Sequence, residues 1–251
     1  MQFQQSFGLV LLGCVLCSGG MSLRAQELEK RTATKATGRI VGHTILAGKV
    51  RKNRPLDMKC DPNCDAANAG RKTYTQRVLV DDKGNLANVV VWIKDVPEGE
   101  YPAKRGRMIL DQVACRYVPH VLGIQIGQKL RIRNSDATCH TVHFKSKLNG
   151  DWNMTQASKG TSPAFKDFAK AEVGTAVFKC DVHPWMTCRV AIFDHPFFAV
   201  SERDGSFEIP THNLPAGKYE IWTWHETYGR TKLKDVDLQP GEKVPLTLTY
   251  K

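Results

Sequence analysis

The segment FKCDVHPWMTC, residues 178–188, spaces Cys180, His183 and Met186 three residues apart. A thiolate, an imidazole and a thioether brought together on one loop share few tasks except metal binding. Sulfur donors favour a soft, reduced ion, and imidazole suits reduced and oxidised forms alike. Upstream, RNSDATCHTVHF, residues 133–144, supplies His140 and His143 at the start of a strand-like segment. One of them completes a set of two His, one Cys and one Met. That set forms a trigonal His2Cys plane with a weak axial thioether, the arrangement that holds copper for one-electron transfer. Pro184, directly after His183, restrains the loop.

Other chemistries fit less well. Cys139, His140, Cys180 and His183 would make a Cys2His2 zinc site, but adjacent ligands are awkward and Met186 is left without a task. No C-x-x-C-H occurs, which removes covalent haem attachment. The pair in CDPNC, Cys60 and Cys64, lacks the His and Met spacing of a binuclear copper centre. Asp181 and Glu172 stand without a paired carboxylate or a Ser/His/Asp set, so nothing supports catalysis and the chain is read as a non-enzyme. His120 reads as a hydrogen-bonded loop residue, and His195, His212 and His225 as structural or exposed. Trp222 and Trp224 alternate onto one buried strand face.

The elements that must position these residues are strands. From Ile40 onward, short runs rich in Val, Ile and aromatics alternate with Gly, Pro, Asn and Asp. Strands are predicted near 40–50, 76–80, 87–94, 108–110, 113–117, 123–126, 129–133, 140–144, 174–179 and 188–194. Asp81-Asp82-Lys83-Gly84-Asn85 reads as a hairpin turn. Residues 155–172 are the one stretch read as a short helix or long loop. Beyond His195-Pro196 about five more strands follow, at 197–200, 206–209, 217–225, 232–238 and 244–250. The class is all-β, a sandwich. The domain boundaries expected are a metal domain over 39–195 and a smaller sandwich over 196–251, packed on the first.

The ends and the charge add context. Phe7–Cys17 is an apolar run of signal-peptide length, too short for a stable span, so residues 1–25 read as a leader and 26–38 as a flexible polar segment. Export to the periplasm or cell envelope follows, with lipid attachment through Cys14 as the lesser option. Net charge is +11 over 251 residues, scattered rather than clustered. It suits a solvated surface or an acidic protein partner, and no nucleic-acid-binding motif accompanies it. Six cysteines lie beyond the leader, and in an oxidising compartment most should pair. Cys64–Cys115 and Cys139–Cys188 are the preferred pairs, although sequence alone leaves the connectivity open.

CDVHPWM is similar to the copper loop of the small cupredoxins of the amicyanin and plastocyanin type, and RNSDATCHTVHF resembles their other copper segment. The likeness is concentrated in residues 129–192. The wider pattern around Cys115-Arg116-Tyr117-Val118-Pro119-His120 resembles exported methylamine-utilisation-type proteins. GSFEI and LPAGKYEIWTWHE resemble a carboxypeptidase regulatory-like, or transthyretin-like, sandwich. The resemblance implies a Greek-key cupredoxin-like sandwich with one type 1 copper ion on His140, Cys180, His183 and Met186. It implies Asn134 beside the Cys180 sulfur, bracing the two copper segments, with His143 in support. A Cys139–Cys188 disulfide would keep free thiols away from the metal. The implied function is exported single-electron shuttling between redox protein partners, with His183 as the exit edge and Pro184 and Trp185 at the partner contact. The alternatives are a copper carrier, or a carbohydrate-binding or adhesion protein working through its C-terminal sandwich.

Overall fold

The structure is a computed structural model that describes residues 38–251 apart from 70, 104, 162, 163 and 240. The expected leader, with Cys14, and all but the last residue of the 26–38 segment lie outside the described residues. The chain begins with strand β1 (Arg39–Leu46), a short helix α1 (Pro62–Ala67) and β2 (Val90–Lys94). A central run follows: β3 (Arg107–Gln112), β4 (Tyr117–Val118), β5 (Val121–Gln125), β6 (Lys129–Asn134), β7 (His140–Lys145), β8 (Trp152–Gln156), β9 (Ala164–Lys166), β10 (Val177–Lys179) and β11 (Thr187–Phe193). The tail supplies β12 (Phe198–Val200), β13 (Ser206–Pro210), β14 (Gly217–His225), β15 (Gly229–Leu238) and β16 (Lys243–Tyr250). The all-β class holds.

The central run makes one sandwich. Its sheets are ordered β4-β3-β6-β9 and β5-β11-β10-β7-β8. Leu110, Ile132, Val142, Phe144, Phe178 and Val190 fill the space between them. Strands β3 and β6 are parallel, as are β5 and β11, so each pair needs a crossover rather than a hairpin.

The second sandwich is not built from the tail alone. Its sheets are β13-β1-β16 and β12-β2-β14-β15. The N-terminal β1 and β2 therefore occupy inner positions between tail strands, and a boundary at residue 196 would cut through both sheets. The run Val89–Ile93 carries the physical reason. Val89, Val91 and Ile93 enter the core between the two outer sheets. Val90 and Trp92 enter a third cluster with Val121, Ala191, Phe193 and Trp224, against the central sandwich. A strand covered on both faces reads as a continuous apolar run.

That third cluster joins the two sandwiches. Strand β11 alternates in the same way, sending Cys188, Val190 and Ile192 to one core and Ala191 and Phe193 to the other. Gly123 of β5 sits where a Cβ would come within 2.8 Å of the Phe198 ring, so the close approach of β5 and β12 requires glycine there. Trp222 and Trp224 share one face, as their alternation predicts, and that face packs on the central sandwich.

Some expectations change. The stretch 76–80 makes only an isolated bridge at Val80–Leu86, closing the predicted turn at Asp81–Asn85. Residues 113–117 contribute only Tyr117 to a strand. Within 155–172 there is no described helix; β8 ends and β9 forms there instead. Helix α1 was not expected, yet Asp61 caps it by accepting from Asn63 N and Cys64 N, and Pro62 opens it.

Candidate metal centre

His140 is the first residue of β7, and its side chain shares the inward parity of Val142 and Phe144. His143 has the opposite parity. It faces outward and meets Asp181 at 2.8 Å, outside the donor cluster. Cys180 directly follows β10, and the loop 180–186 leads back into the antiparallel β11, with Lys179 opposite Thr187. Cys180 N donates to Met186 O and Met186 N donates to His183 O, which closes this loop. Strand β7 pairs with β10, so His140 and Cys180 emerge at one end of one sheet.

Three donors converge there. His140 Nδ1 lies 2.9 Å from His183 Nδ1, and Cys180 Sγ lies 4.0 Å and 3.7 Å from these two nitrogens. His140, Cys180 and His183 are all buried and form a group able to hold a metal ion. Metal bonds of about 2.0–2.1 Å to nitrogen and 2.3 Å to sulfur would place such donors about 3–4 Å apart, so the set fits an ion. Met186 is buried in the same cluster as Cys180. Cys139 is only partly buried and belongs to none of the described donor groups, so the Cys2His2 set does not assemble.

The outer nitrogens explain the orientation. His140 Nε2 meets Asp136 Oδ2 at 2.9 Å, and His183 Nε2 meets Asp61 Oδ2 at 3.1 Å. A carboxylate only accepts, so each Nε2 carries a proton, and each ring is turned with its Nδ1 toward the thiol. Both carboxylates are themselves held. Asp136 accepts from the backbone N–H groups of Ala114 and Cys115, a turn with positive φ at both residues. Burial pushes the Asp61 carboxyl up, but donation from Thr138 Oγ1, Cys64 N, Asn63 N and His183 outweighs it and brings the pKa to about 2. At Cys180 burial opposes ionisation, while the His140 ring and the backbone of Thr141 and His183 overcome it and pull the pKa down. Thr141 N approaches the sulfur at 3.3 Å. Thiolate, the ligating form, is favoured.

Two expectations are corrected. Asn134 does not sit on the sulfur. Its amide donates to Thr138 O and Gln156 O and accepts from Asp136 N, so it shapes the loop that presents Asp136. Thr141 takes the place beside Cys180. Nor does His183 offer an exposed edge, since it is 1% exposed. Asp61 and the Cys64 sulfur, 3.5 Å from Nε2, cover it.

Of the preferred disulfides, Cys64–Cys115 is formed, with Cα atoms 5.5 Å apart. Cys139 and Cys188 are free thiols. Strand β10 lies between β7 and β11, so the segments carrying them stand two strand spacings apart, about 9.5 Å. A disulfide tolerates Cα separations up to about 7 Å. Cys188 instead points into the core, where burial raises its pKa.

Sequence reasoning missed Asp61, Asp136, Thr141 and Tyr117. Tyr117 Oη donates to Thr141 O at 2.7 Å and reaches Lys179 O at 3.2 Å, tying β7 to β10 beside Cys180. The Asp-Pro pair at 61–62 is a helix-start signature that could have exposed the cap. Away from the metal donors, His120 bonds Glu226, and His195 accepts from Phe197 N. His225 is buried against Tyr228, which depresses its pKa to about 4, and His212 is exposed.

No family model matches the sequence, and no curated protein matches it. Among solved structures, a copper-containing nitrite reductase from Thermus scotoductus SA-01 overlaps at 17% identity and a TM-score of 0.31, over 39% of this chain and 25% of that one. An oxidised proline-to-glycine mutant of amicyanin overlaps at 20% identity and 0.30, over 39% of this chain and 95% of that one. A purple cupredoxin from Nitrosopumilus maritimus overlaps at 19% identity and 0.28, over 34% and 97%. The chain thus spans a quarter of the reductase it matches. Overlaps this slight carry none of the functional argument, which rests on the donor geometry.

Proposed function

We propose that this chain is an exported, cupredoxin-like mononuclear type 1 copper protein that passes single electrons between redox protein partners. The observation that carries the reading is the convergence of two Nδ1 atoms and a favoured thiolate, with both Nε2 atoms tied to carboxylates. His140, Cys180 and His183 would hold the ion, with the thioether of Met186, buried in the same cluster, as a weaker donor. Copper bound there supplies a one-electron couple.

The chain's own groups do the rest. Asp136 and Asp61 fix the tautomer and direction of each imidazole and raise its basicity. The Thr141 N–H stabilises charge on the sulfur. Pro184 and the loop-closing hydrogen bonds limit ligand motion, which keeps reorganisation small. Helix α1, fastened by Cys64–Cys115, excludes water from His183. These features favour a retained ion over the carrier alternative, because a buried and braced donor set exchanges metal slowly.

The test is copper retention and colour together. The Cu(II)-loaded chain should show an intense visible thiolate-to-copper band and lose its copper slowly to a chelator. Rapid transfer of copper to a chelator, with no such band, would instead mark a carrier.

A further inference from the structure

The usual reading of such a loop sends electrons through the outer imidazole, but Asp61 and Cys64 close that edge here. One open approach to the loop lies elsewhere. A cleft of about 540 Å³ is lined by Trp185, Met186 and Thr187 of the loop and its exit into β11, and by parts of both sandwiches. Trp185 spans the gap between cleft and donors. Its ring lies 5.2 Å from the His183 ring, and its Nε1 donates to Cys115 O at 3.0 Å.

The cleft is strongly cationic. Four arginines line it, Arg54, Arg77, Arg116 and Arg189, against one carboxylate, Glu226. Glu226 is 4% exposed at its side chain and reaches over from the β14–β15 turn. It bonds His120 and attracts Arg189 and, more distantly, Arg77. Its charge is thus shared inward, and Arg54 has no side-chain partner among the described residues. Exposed apolar residues adjoin lining residues in sequence: Tyr74, 45% exposed, precedes Thr75, and Val118, 49% exposed, follows Tyr117. Four arginines spread around a cleft of this size suit the carboxylates of an acidic protein face.

The geometry points to this cleft as the docking site for an acidic redox protein, whose carboxylates enter among the arginines and whose redox centre approaches Trp185. This rests on the electron-transfer reading and names its surface. It also gives the second sandwich a task, since Glu226 supplies the cleft wall that organises His120 and Arg189.

Two arms test it, one without copper. Poly-L-glutamate, a redox-inert acidic chain, is titrated into the metal-free protein by calorimetry. Binding should weaken on the order of tenfold in Arg54→Glu/Arg77→Glu and weaken with salt, but persist in Lys218→Glu, an exposed site at the far end of β14 from Glu226. In the second arm the reduced, copper-loaded protein gives one electron to hexacyanoferrate(III), which becomes hexacyanoferrate(II). That rate should fall in the double arginine variant, be inhibited by poly-L-glutamate, and change little with the cationic oxidant tris(phenanthroline)cobalt(III). Equal losses in Lys218→Glu and the arginine variant would overturn the proposal, leaving only a general surface charge. Competition by hexacyanocobaltate(III) with no binding of poly-L-glutamate would also overturn it, in favour of a small-anion pocket. A chain that lacks the copper band yet binds poly-L-glutamate through the arginines would refute the electron-transfer reading while leaving the acidic docking surface intact.

Discussion

Two carboxylates decide which nitrogen of each imidazole faces the sulfur. Asp61→Ala removes the acceptor from His183 Nε2 and frees its ring, so copper affinity should drop by about 10–100-fold. The reduction potential should rise, because a less basic imidazole stabilises the oxidised ion less. Chelator competition and potentiometry read the two effects, and no change in either would remove Asp61 from the account. Glu172 is a separate case at the same scale. It accepts from Ser146, Lys147, Leu148, Asn149 and Thr175. Burial raises its pKa, but those donors prevail and hold it at about 2, below the ordinary 4.5. A carboxylate depressed in this way stabilises the fold fully above pH 4.5, and that contribution is lost as pH falls toward 2. Acid unfolding followed by circular dichroism should therefore show a flatter acid limb in Glu172→Gln than in the parent; identical limbs would contradict the assignment. The donor spacing was legible in the sequence because a sheet end and one loop suffice to gather His140, Cys180 and His183. Asp61 was not, because its place depends on a helix of six residues too short to leave a period.

Helix α1 acts as a cap, and the Cys64–Cys115 bond fastens it. Cys64 lies in the helix and Cys115 in the turn that also presents two N–H groups to Asp136. Replacing both with Ser should cost about 2–4 kcal/mol of stability. It should also speed copper loss, since Asp61 and the wall over His183 are released together. Denaturant unfolding and chelator kinetics measure these separately, and unchanged copper loss would show that the cap does not guard the site. Most strands were legible from alternating or continuous apolar runs, whereas pairing partners were not. Cys139 and Cys188 looked bridgeable because both flank the metal loop residues in sequence. The interposed β10 that parts them appears only once the strand order is known.

At the scale of the molecule, the chain threads one sandwich through the other. Strands β1 and β2 precede the central run, yet sit among β12–β16. The tail's period of strands and turns was plain from its sequence, but a fragment cannot reveal that its inner strands lie elsewhere in the chain. Residues 196–251 produced alone should therefore fail to fold, leaving Ile209, Ile221, Leu238 and Leu248 without the facing Ile40, Val91 and Ile93. Cooperative thermal unfolding of that fragment would contradict the interleaved arrangement. The same threading brings Glu226 to the central sandwich and builds the cationic cleft beside Trp185. The most direct measurement is the visible spectrum of the whole protein with Cu(II), before and after reduction, beside Cys180→Ser. The account predicts an intense thiolate-to-copper band that bleaches on reduction and is absent from Cys180→Ser. A colourless Cu(II) protein, or a band that survives the serine substitution, would contradict a copper site built on Cys180.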